Sequence, residues 1–341
     1  MTDAAAALST LSATLLPALE RRLQDDVRRH IQPPALARMV AYHMGWEGLG
    51  AGPQARGKRV RPLLTLLTAQ AAGGSWEDAL PAAAAVEFVH NFSLLHDDIQ
   101  DRSRLRRGRP TVWYLWGVPQ AINAGDALFA LAFRTLADLH TAAACWPEPP
   151  AALLARACLH LTRGQYLDLS YEGREDLDEA AYWPMVEGKT AALLETAVAL
   201  GAYAAGLDAA AAQPYRDFGR ALGLAFQVWD DYLGIWGDPA RTGKSAASDL
   251  VARKNSLPVL YGLQRRDSAF ARRWARGPIT EDEAPALAAR LAETGARDYT
   301  RQQAEAWTAR ARAALAAAPA RDAQAHAALQ ALADRLLRRD A

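Results

Sequence analysis

The sequence predicts an all-α protein. Alanine and leucine dominate it, β-branched residues never gather into alternating runs, and apolar residues recur at three- and four-residue steps through long segments. With 341 residues, 51% of them hydrophobic, the chain can bury a large core as one big domain or two smaller ones. A formal net charge of +1 supplies no bulk attraction to nucleic acid or to an anionic membrane. The two cysteines, Cys145 and Cys158, lie in apolar contexts and make neither a disulfide framework nor a metal-ligand set, which suits a reducing cytoplasmic setting. No apolar run reaches the roughly 20 residues that span a bilayer. The N-terminus lacks the basic region of a signal peptide.

The opening helix is expected over residues 4–30, where Leu8, Leu11, Leu15, Leu16 and Leu19 form an apolar side and Pro33 and Pro34 end it. A short helix follows over 36–43. A Gly- and Pro-rich link over 45–57 then delivers Gly57-Lys58-Arg59-Val60-Arg61-Pro62 to the start of a helix over 63–71. Cations beside a helix N-terminus make an anion site, because free N–H groups and the dipole add to their charge. A solvated basic loop describes the same residues.

The segment 87–101 carries the strongest chemistry. Phe88, Phe92, Leu95 and Ile99 give it a buried stripe, and Asp97, Asp98 and Asp101 stand three and four residues apart on one flank. Carboxylates packed so closely repel unless something positive sits among them. Mg²⁺ suits the place, being held by one or two carboxylates together with a substrate phosphate. Arg106, Arg107 and Arg109 follow, and guanidinium forks match phosphate oxygens. Metal-binding carboxylates beside phosphate-binding arginines imply a diphosphate substrate. Taken alone, an acidic helix end followed by a basic loop accounts for the stretch equally well.

Pro110 and Gly117 mark a turn region that leads through Asn123-Ala124-Gly125-Asp126 into a helix ending near His140. After a loop over 144–150, the next helix carries Gln165 and Asp168 on one face. In Glu187-Gly188-Lys189-Thr190 a glycine loosens the helix beside a lysine. A second apolar run, 223–238, contains Asp230-Asp231, and two acidic pairs on hydrophobic helices suggest two walls facing one metal cluster. The polar stretch 237–244, ending at Lys244, is suited to a lid. Residues 260–341 are expected to form outer helices broken at Gly277-Pro278 and Pro319.

In combination these motifs resemble the trans-isoprenyl diphosphate synthases of the polyprenyl synthetase family, and among them the bacterial geranylgeranyl diphosphate synthases. Asp97-Asp98-Ile99-Gln100-Asp101 matches the first aspartate-rich motif, Asp230-Asp231 opens the second, and Gly57 to Pro62 matches Gly-Lys-Arg-x-Arg-Pro. The resemblance implies the isoprenoid synthase type I fold: a single large helical bundle around a central cavity, one domain over 1–341, paired as a homodimer. It implies a cytoplasmic prenyltransferase that joins isopentenyl diphosphate head-to-tail to allylic diphosphates (dimethylallyl, geranyl, farnesyl). About three Mg²⁺ would be held by Asp97, Asp98, Asp101, Asp230 and Asp231, consistent with carboxylate-plus-phosphate ligation.

Carried over residue by residue, the resemblance gives isopentenyl diphosphate to Lys58, Arg61, His90 and Arg107, and the allylic diphosphate to Arg106, Lys189 and Lys244. Lys254 matches a further family lysine. Thr190 and Gln227 would face the carbocation, Gln165 and Asp168 would line the cavity wall, and Arg109 is expected to face solvent. Phe92 and Ser93, just before the first motif, match the chain-length positions. One aromatic there resembles synthases that stop at geranylgeranyl diphosphate (C20), with farnesyl diphosphate (C15) the runner-up.

Two residues depart from the family pattern: Gly234 stands where the second motif has a third aspartate, and Trp113 where a histidine is usual. Two other classes stay open. A class I terpene cyclase shares the cavity and the first motif but needs no isopentenyl site. A non-catalytic subunit of a heteromeric synthase typically loses aspartates that this chain keeps.

Overall fold

The computed structural model describes residues 3–140, 146, 148–174, 176–238 and 247–337. The all-α expectation holds. Among the described residues strand is confined to a hairpin, with β1 (Leu105–Arg106) antiparallel to β2 (Arg109–Pro110). The helices are α1 (Asp3–His30), α2 (Pro34–His43), α3 (Pro53–Arg56), α4 (Val60–Ala71), α5 (Leu80–Gln100), α6 (Val112–Trp116), α7 (Val118–Leu136), α8 (Pro150–Tyr171) and α9 (Glu179–Val186). A π-helical turn, Glu187–Ala191, joins α9 to α10 (Ala192–Ala204). Then come α11 (Ala209–Trp236), α12 (Ser248–Val251), α13 (Leu257–Leu263), α14 (Ala269–Trp274), α15 (Ala284–Glu293), α16 (Ala296–Ala317) and α17 (Ala323–Leu337). Two breaks fall where the prolines predict, α14 and α15 separating around Pro278 and α16 and α17 around Pro319, while the breaks between α13 and α14 and between α15 and α16 were not expected. Two starts come earlier than the sequence suggests. α4 begins at Val60, because Arg59 turns the chain with φ 47° and lets the helix start inside the motif. α7 begins at Val118, directly after α6, so most of the expected turn region is helical.

The chain divides into two compact units. The first comprises Met1–Ala155, Thr196–Tyr215 and Ala318–Ala331. Its central helix is α5, which packs on α1, α4 and α7. Ala82, Ala83, Ala84 and Ala85 are fully buried, and their small side chains admit close neighbours. α10 crosses α4 at Gly201, where a Cβ would lie 2.3 Å from the Thr65 carbonyl oxygen.

The second unit comprises Arg156–Glu195, Arg216–Ala317 and Leu332–Ala341. Leu224 and Val228 of α11 pack with Tyr182, Val186, Leu257 and Leu260 in one buried cluster. Ile235, Leu250, Phe270, Trp274 and Leu287 form another. The π turn is pressed against α8 backbone to backbone: a Cβ on Gly164 would stand 2.1 Å from the Lys189 amide nitrogen, and one on Gly188 2.4 Å from the His160 carbonyl oxygen. That crossing fixes where Lys189 and Thr190 stand. No described helix is long and apolar enough to cross a membrane.

Candidate active site

In the first unit, the motif before α4 splits into residues with different work. Arg59 is buried, and its guanidinium binds Glu20 at 2.7 Å, Glu87 at 2.7 Å and the Met44 carbonyl at 3.1 Å. Glu87 also accepts from Asn91 at 2.8 Å. Arg59 is therefore a structural counter-ion. Arg61, two residues on, has no comparable set: its Nε is buried without a hydrogen-bond partner, and Nη1 lies 3.4 Å from His90 Nε2. Burial, then the positive charge of Arg61, Arg107, Arg106 and Arg59, holds the His90 pKa well below its ordinary value, so His90 is neutral. Buried cationic and N–H groups with no matching acceptor describe a place prepared for an anion. Lys58 is exposed at the edge of the same turn.

The arginine hairpin closes on this turn. Arg107, at φ 53°, donates to the Ala55 carbonyl at 2.7 Å, and its guanidinium lies so close to Gly57 that a Cβ there would meet Nη2 at 2.5 Å. Gly57 itself has φ 76°, so glycine answers both demands. Arg106 binds the buried Asp98 through Nε at 2.9 and 3.0 Å and through Nη2 at 2.8 Å. Burial raises the Asp98 pKa against the pull of Arg106. Asp98 thus orients the hairpin from the end of α5. Asp101 is exposed just beyond that helix, with its amide bonded to the Asp97 carbonyl at 2.8 Å. Tyr42, His43, Ala55, Asp98, Arg106 and Arg107 line a small hollow there. His43 is driven down to about 3 by burial and by the neighbouring arginines.

One expectation about this hairpin changes. Arg109 does not face solvent. It is 8% exposed, stacks 4.0 Å over the Tyr42 ring and donates to the carbonyls of Leu49, Tyr42 and Glu47 at 2.8, 2.9 and 2.7 Å. The loop between α2 and α3 folds around it, because three carbonyls converge on one guanidinium fork. Trp113 also has a structural reading, since its indole N–H donates to the Ser103 carbonyl at 2.9 Å and pins the hairpin base.

Along α5, Phe92 packs against Phe129 of α7 with ring centroids 4.9 Å apart, and Phe129 against Phe133 at 5.2 Å. Ser93 is buried, its hydroxyl donating to the His90 carbonyl at 2.8 Å.

In the second unit, the expected loosening at Gly188 takes the form of the π turn, in which the Ala192 amide reaches the Glu187 carbonyl. Lys189 pairs with Asp168 of α8. Thr190 donates to Gln227 Oε1 at 2.9 Å, and Gln227 Nε2 donates to Asp231 Oδ1 at 2.9 Å. Asp231 Oδ2 accepts from the Tyr182 hydroxyl at 2.7 Å and the Leu257 amide at 3.2 Å. Burial pushes the Asp231 carboxyl up to about 7, against these hydrogen bonds. Both of its oxygens are occupied by protein donors.

Asp249 of α12 lies beside the second aspartate motif and was not singled out by the sequence reading. It is 3% exposed, with Lys254 Nζ 3.5 Å from its carboxylate. A Cβ on Gly234 would lie 2.2 Å from Asp249 Oδ2. The second motif ends in glycine because a carboxylate from another helix already fills the space beside it. Gly234→Asp, which restores the family pattern, is therefore expected to destabilise the protein by about 2 kcal/mol through overpacking beside a like charge. Urea melts of the two proteins measure this, and an unchanged or raised midpoint would contradict it. Lys244 lies outside the described residues. Among the described residues no three His, Cys, Asp or Glu side chains stand close enough to hold a metal by themselves.

Comparison with known proteins agrees with these features. Residues 50–287 match the family model described as polyprenyl synthetase. The chain is 44% identical over 273 residues to a geranylgeranyl diphosphate synthase of Mycobacterium tuberculosis, covering 78% of this chain and 77% of that protein. It is 40% identical over 296 residues to a farnesyl diphosphate synthase of the same organism, covering 84% and 79%. Among solved structures, a polyprenyl synthetase from Streptomyces coelicolor superposes with a TM-score of 0.83 at 38% identity, covering 98% of this chain and 99% of that one. The helical architecture, the two aspartate motifs and these relatives together establish that the chain belongs to the polyprenyl synthetase family of prenyltransferases.

Proposed function

We propose that the protein condenses isopentenyl diphosphate with allylic diphosphates, as one synthase domain, to give geranylgeranyl diphosphate. The observation that carries this reading is the uncompensated cationic pocket of Arg61 and neutral His90, capped by Arg107, beside the aspartates that end α5. A diphosphate supplies the missing acceptors. In this reading Lys58, Arg61, His90 and Arg107 clamp isopentenyl diphosphate and present its double bond at close range. Arg106, Lys189, Lys244 and Lys254 serve the allylic diphosphate, and Thr190 and Gln227 meet the positive charge that forms as it leaves.

Asp97, Asp101 and Asp230 offer the hard oxygen donors that Mg²⁺ takes, with phosphate and water completing the shell. When bound, about three Mg²⁺ would neutralise the charge growing on the leaving diphosphate. Asp98 and Asp231, whose oxygens already accept from Arg106 and from Tyr182, Gln227 and Leu257, act as supports to those ligands. In this reading Phe92, stacked on Phe129, forms the floor for the growing tail, and the small Ser93 beside that single aromatic favours C20 over C15. Phe92→Ala is expected to shift the products beyond C20. Unchanged product length by chromatography would place the floor elsewhere.

A homodimer fits the exposed apolar residues Tyr114, Leu115, Val118 and Ile122, which are 51, 47, 40 and 41% exposed on α6 and α7. A cytoplasmic setting fits the absence of an apolar membrane-length helix among the described residues. Incubation of the purified protein with Mg²⁺, dimethylallyl diphosphate and isopentenyl diphosphate tests the whole reading. Geranylgeranyl diphosphate is the expected product. Release of a hydrocarbon would identify a cyclase, and absence of turnover a helper subunit.

A further inference from the structure

We infer that Tyr182 and Asp231 are positioning residues that set the direction of the hydrogen bond between Gln227 and Thr190, so that the Thr190 oxygen is left as an acceptor only. This rests on the reading above that Thr190 and Gln227 meet the allylic cation. Four observations in the second unit carry it.

Asp231 is buried in α11, and three donors converge on its two oxygens: the Tyr182 hydroxyl at 2.7 Å, the Leu257 amide at 3.2 Å and Gln227 at 2.9 Å. The Leu257 amide has no other polarity to offer, since a backbone N–H donates and nothing else. This chain of bonds requires Asp231 to be ionised, and an ionised carboxylate only accepts, so the end of Gln227 that faces Asp231 is its NH₂ group. The other end, the amide oxygen, then faces Thr190, whose hydroxyl has to donate to it at 2.9 Å. Each bond fixes the next, from Tyr182 in α9 to Thr190 in the π turn.

The chemical result concerns charge. A hydroxyl whose hydrogen points at Gln227 turns only lone pairs to anything else that approaches, and lone pairs favour a cation. A hydroxyl free to rotate would reorganise at the moment charge develops, and preorganisation removes that cost. Tyr182 sits at the far end and touches neither Thr190 nor Gln227 in the hydrogen-bond chain, yet it helps hold the polarity. Its ring is 1% exposed, packed in the cluster with Val186, Leu224 and Val228, so its hydroxyl cannot swing away.

The sequence gives little sign of this. Tyr182 and Asp231 are far apart along the chain, and an adjacent aspartate pair invites the same role for both members.

The test compares Asp231→Asn and Tyr182→Phe with the wild-type enzyme. In Asp231→Asn the new carboxamide presents an NH₂ group in place of one acceptor oxygen, which invites Gln227 to reverse. Two non-reactive allylic analogues are used as probes with Mg²⁺ and inorganic pyrophosphate: one with a protonated amine at the reacting carbon and one neutral isostere. Calorimetry gives the affinity for each, and Mn²⁺ titration followed by electron paramagnetic resonance gives the metal affinity. The wild type is expected to prefer the cationic analogue. In Asp231→Asn that preference falls at least about tenfold, as expected for one oriented acceptor. In Tyr182→Phe it falls by a smaller factor, with neutral-analogue and Mn²⁺ affinities within roughly twofold of wild type in both variants. In turnover, kcat falls while KM for each substrate stays near its original value.

An unchanged preference in variants that keep the wild-type circular dichroism spectrum would overturn the inference. So would a loss of Mn²⁺ affinity in Asp231→Asn equal to that in Asp230→Asn, which would make Asp231 a metal ligand. A wild-type protein that forms no prenyl product and binds neither analogue would instead remove the functional reading on which the inference stands.

Discussion

Asp230→Ala is expected to lower kcat by about a thousandfold, the upper end of what a single charge-stabilising group contributes. Asp231→Ala is expected to cost roughly tenfold, as befits a residue that acts through its neighbours. The two carboxylates are adjacent on α11, so local charge and helix propensity do not separate them. What separates them is burial, Asp231 being 5% exposed and Asp230 half-buried. Asp231 spends both oxygens on Tyr182, Gln227 and Leu257. Steady-state kinetics over a Mg²⁺ titration distinguish the two: Asp230→Ala is expected to move the Mg²⁺ requirement to higher concentration, whereas the smaller Asp231→Ala loss is the same at every Mg²⁺ concentration. Equal losses would show that both ligate metal, or that neither does.

Arg59→Met is expected to destabilise the protein by about 3–5 kcal/mol, the cost of leaving a buried carboxylate without its partner. Glu87 is 2% exposed and Arg59 5%, so water cannot replace the missing charge. Adding Glu87→Gln to Arg59→Met is expected to recover part of the loss, because the uncompensated charge is then gone. Denaturant melts of the single and double variants decide this. If Arg59→Met shifts the midpoint no more than a surface substitution would, Arg59 is not the counter-ion described. Arg61→Met is expected to leave stability almost unchanged or to raise it, since burial already penalises that guanidinium and its Nε has no acceptor. The two arginines of one motif thus have opposite roles, one holding the fold and the other waiting for a ligand.

The helices and both acidic motifs were legible because their signals are local. The stripe of Phe88, Phe92, Leu95 and Ile99 sets the phase of α5, and the same three- and four-residue steps put Asp97 and Asp101 together. A weak point in that helix was legible as well at Gly188 beside Lys189, though not that it takes the form of a π turn.

Long-range partners were not legible. Nothing near Arg109 in the chain indicates that the carbonyls of Tyr42, Glu47 and Leu49 will close on it. Arg59 and Arg61 look alike until Glu20 and Glu87 arrive from other helices. Gly234 read as a loss because Asp249, which occupies the space beside it, comes from α12. In each case the deciding contact is tertiary, and sequence spacing carries no information about it.

Asp97 belongs to the first compact unit and Asp230 to the second, and the proposed chemistry needs both motifs to serve one diphosphate. Crystals grown with Mn²⁺ and inorganic pyrophosphate, measured at the manganese absorption edge, would locate the ions directly. Anomalous peaks are expected within bonding distance of Asp97 and Asp101 and of Asp230, all touching the same pyrophosphate. Ions at the two motifs that share no pyrophosphate, or an ion at only one of them, would contradict a common metal-diphosphate centre.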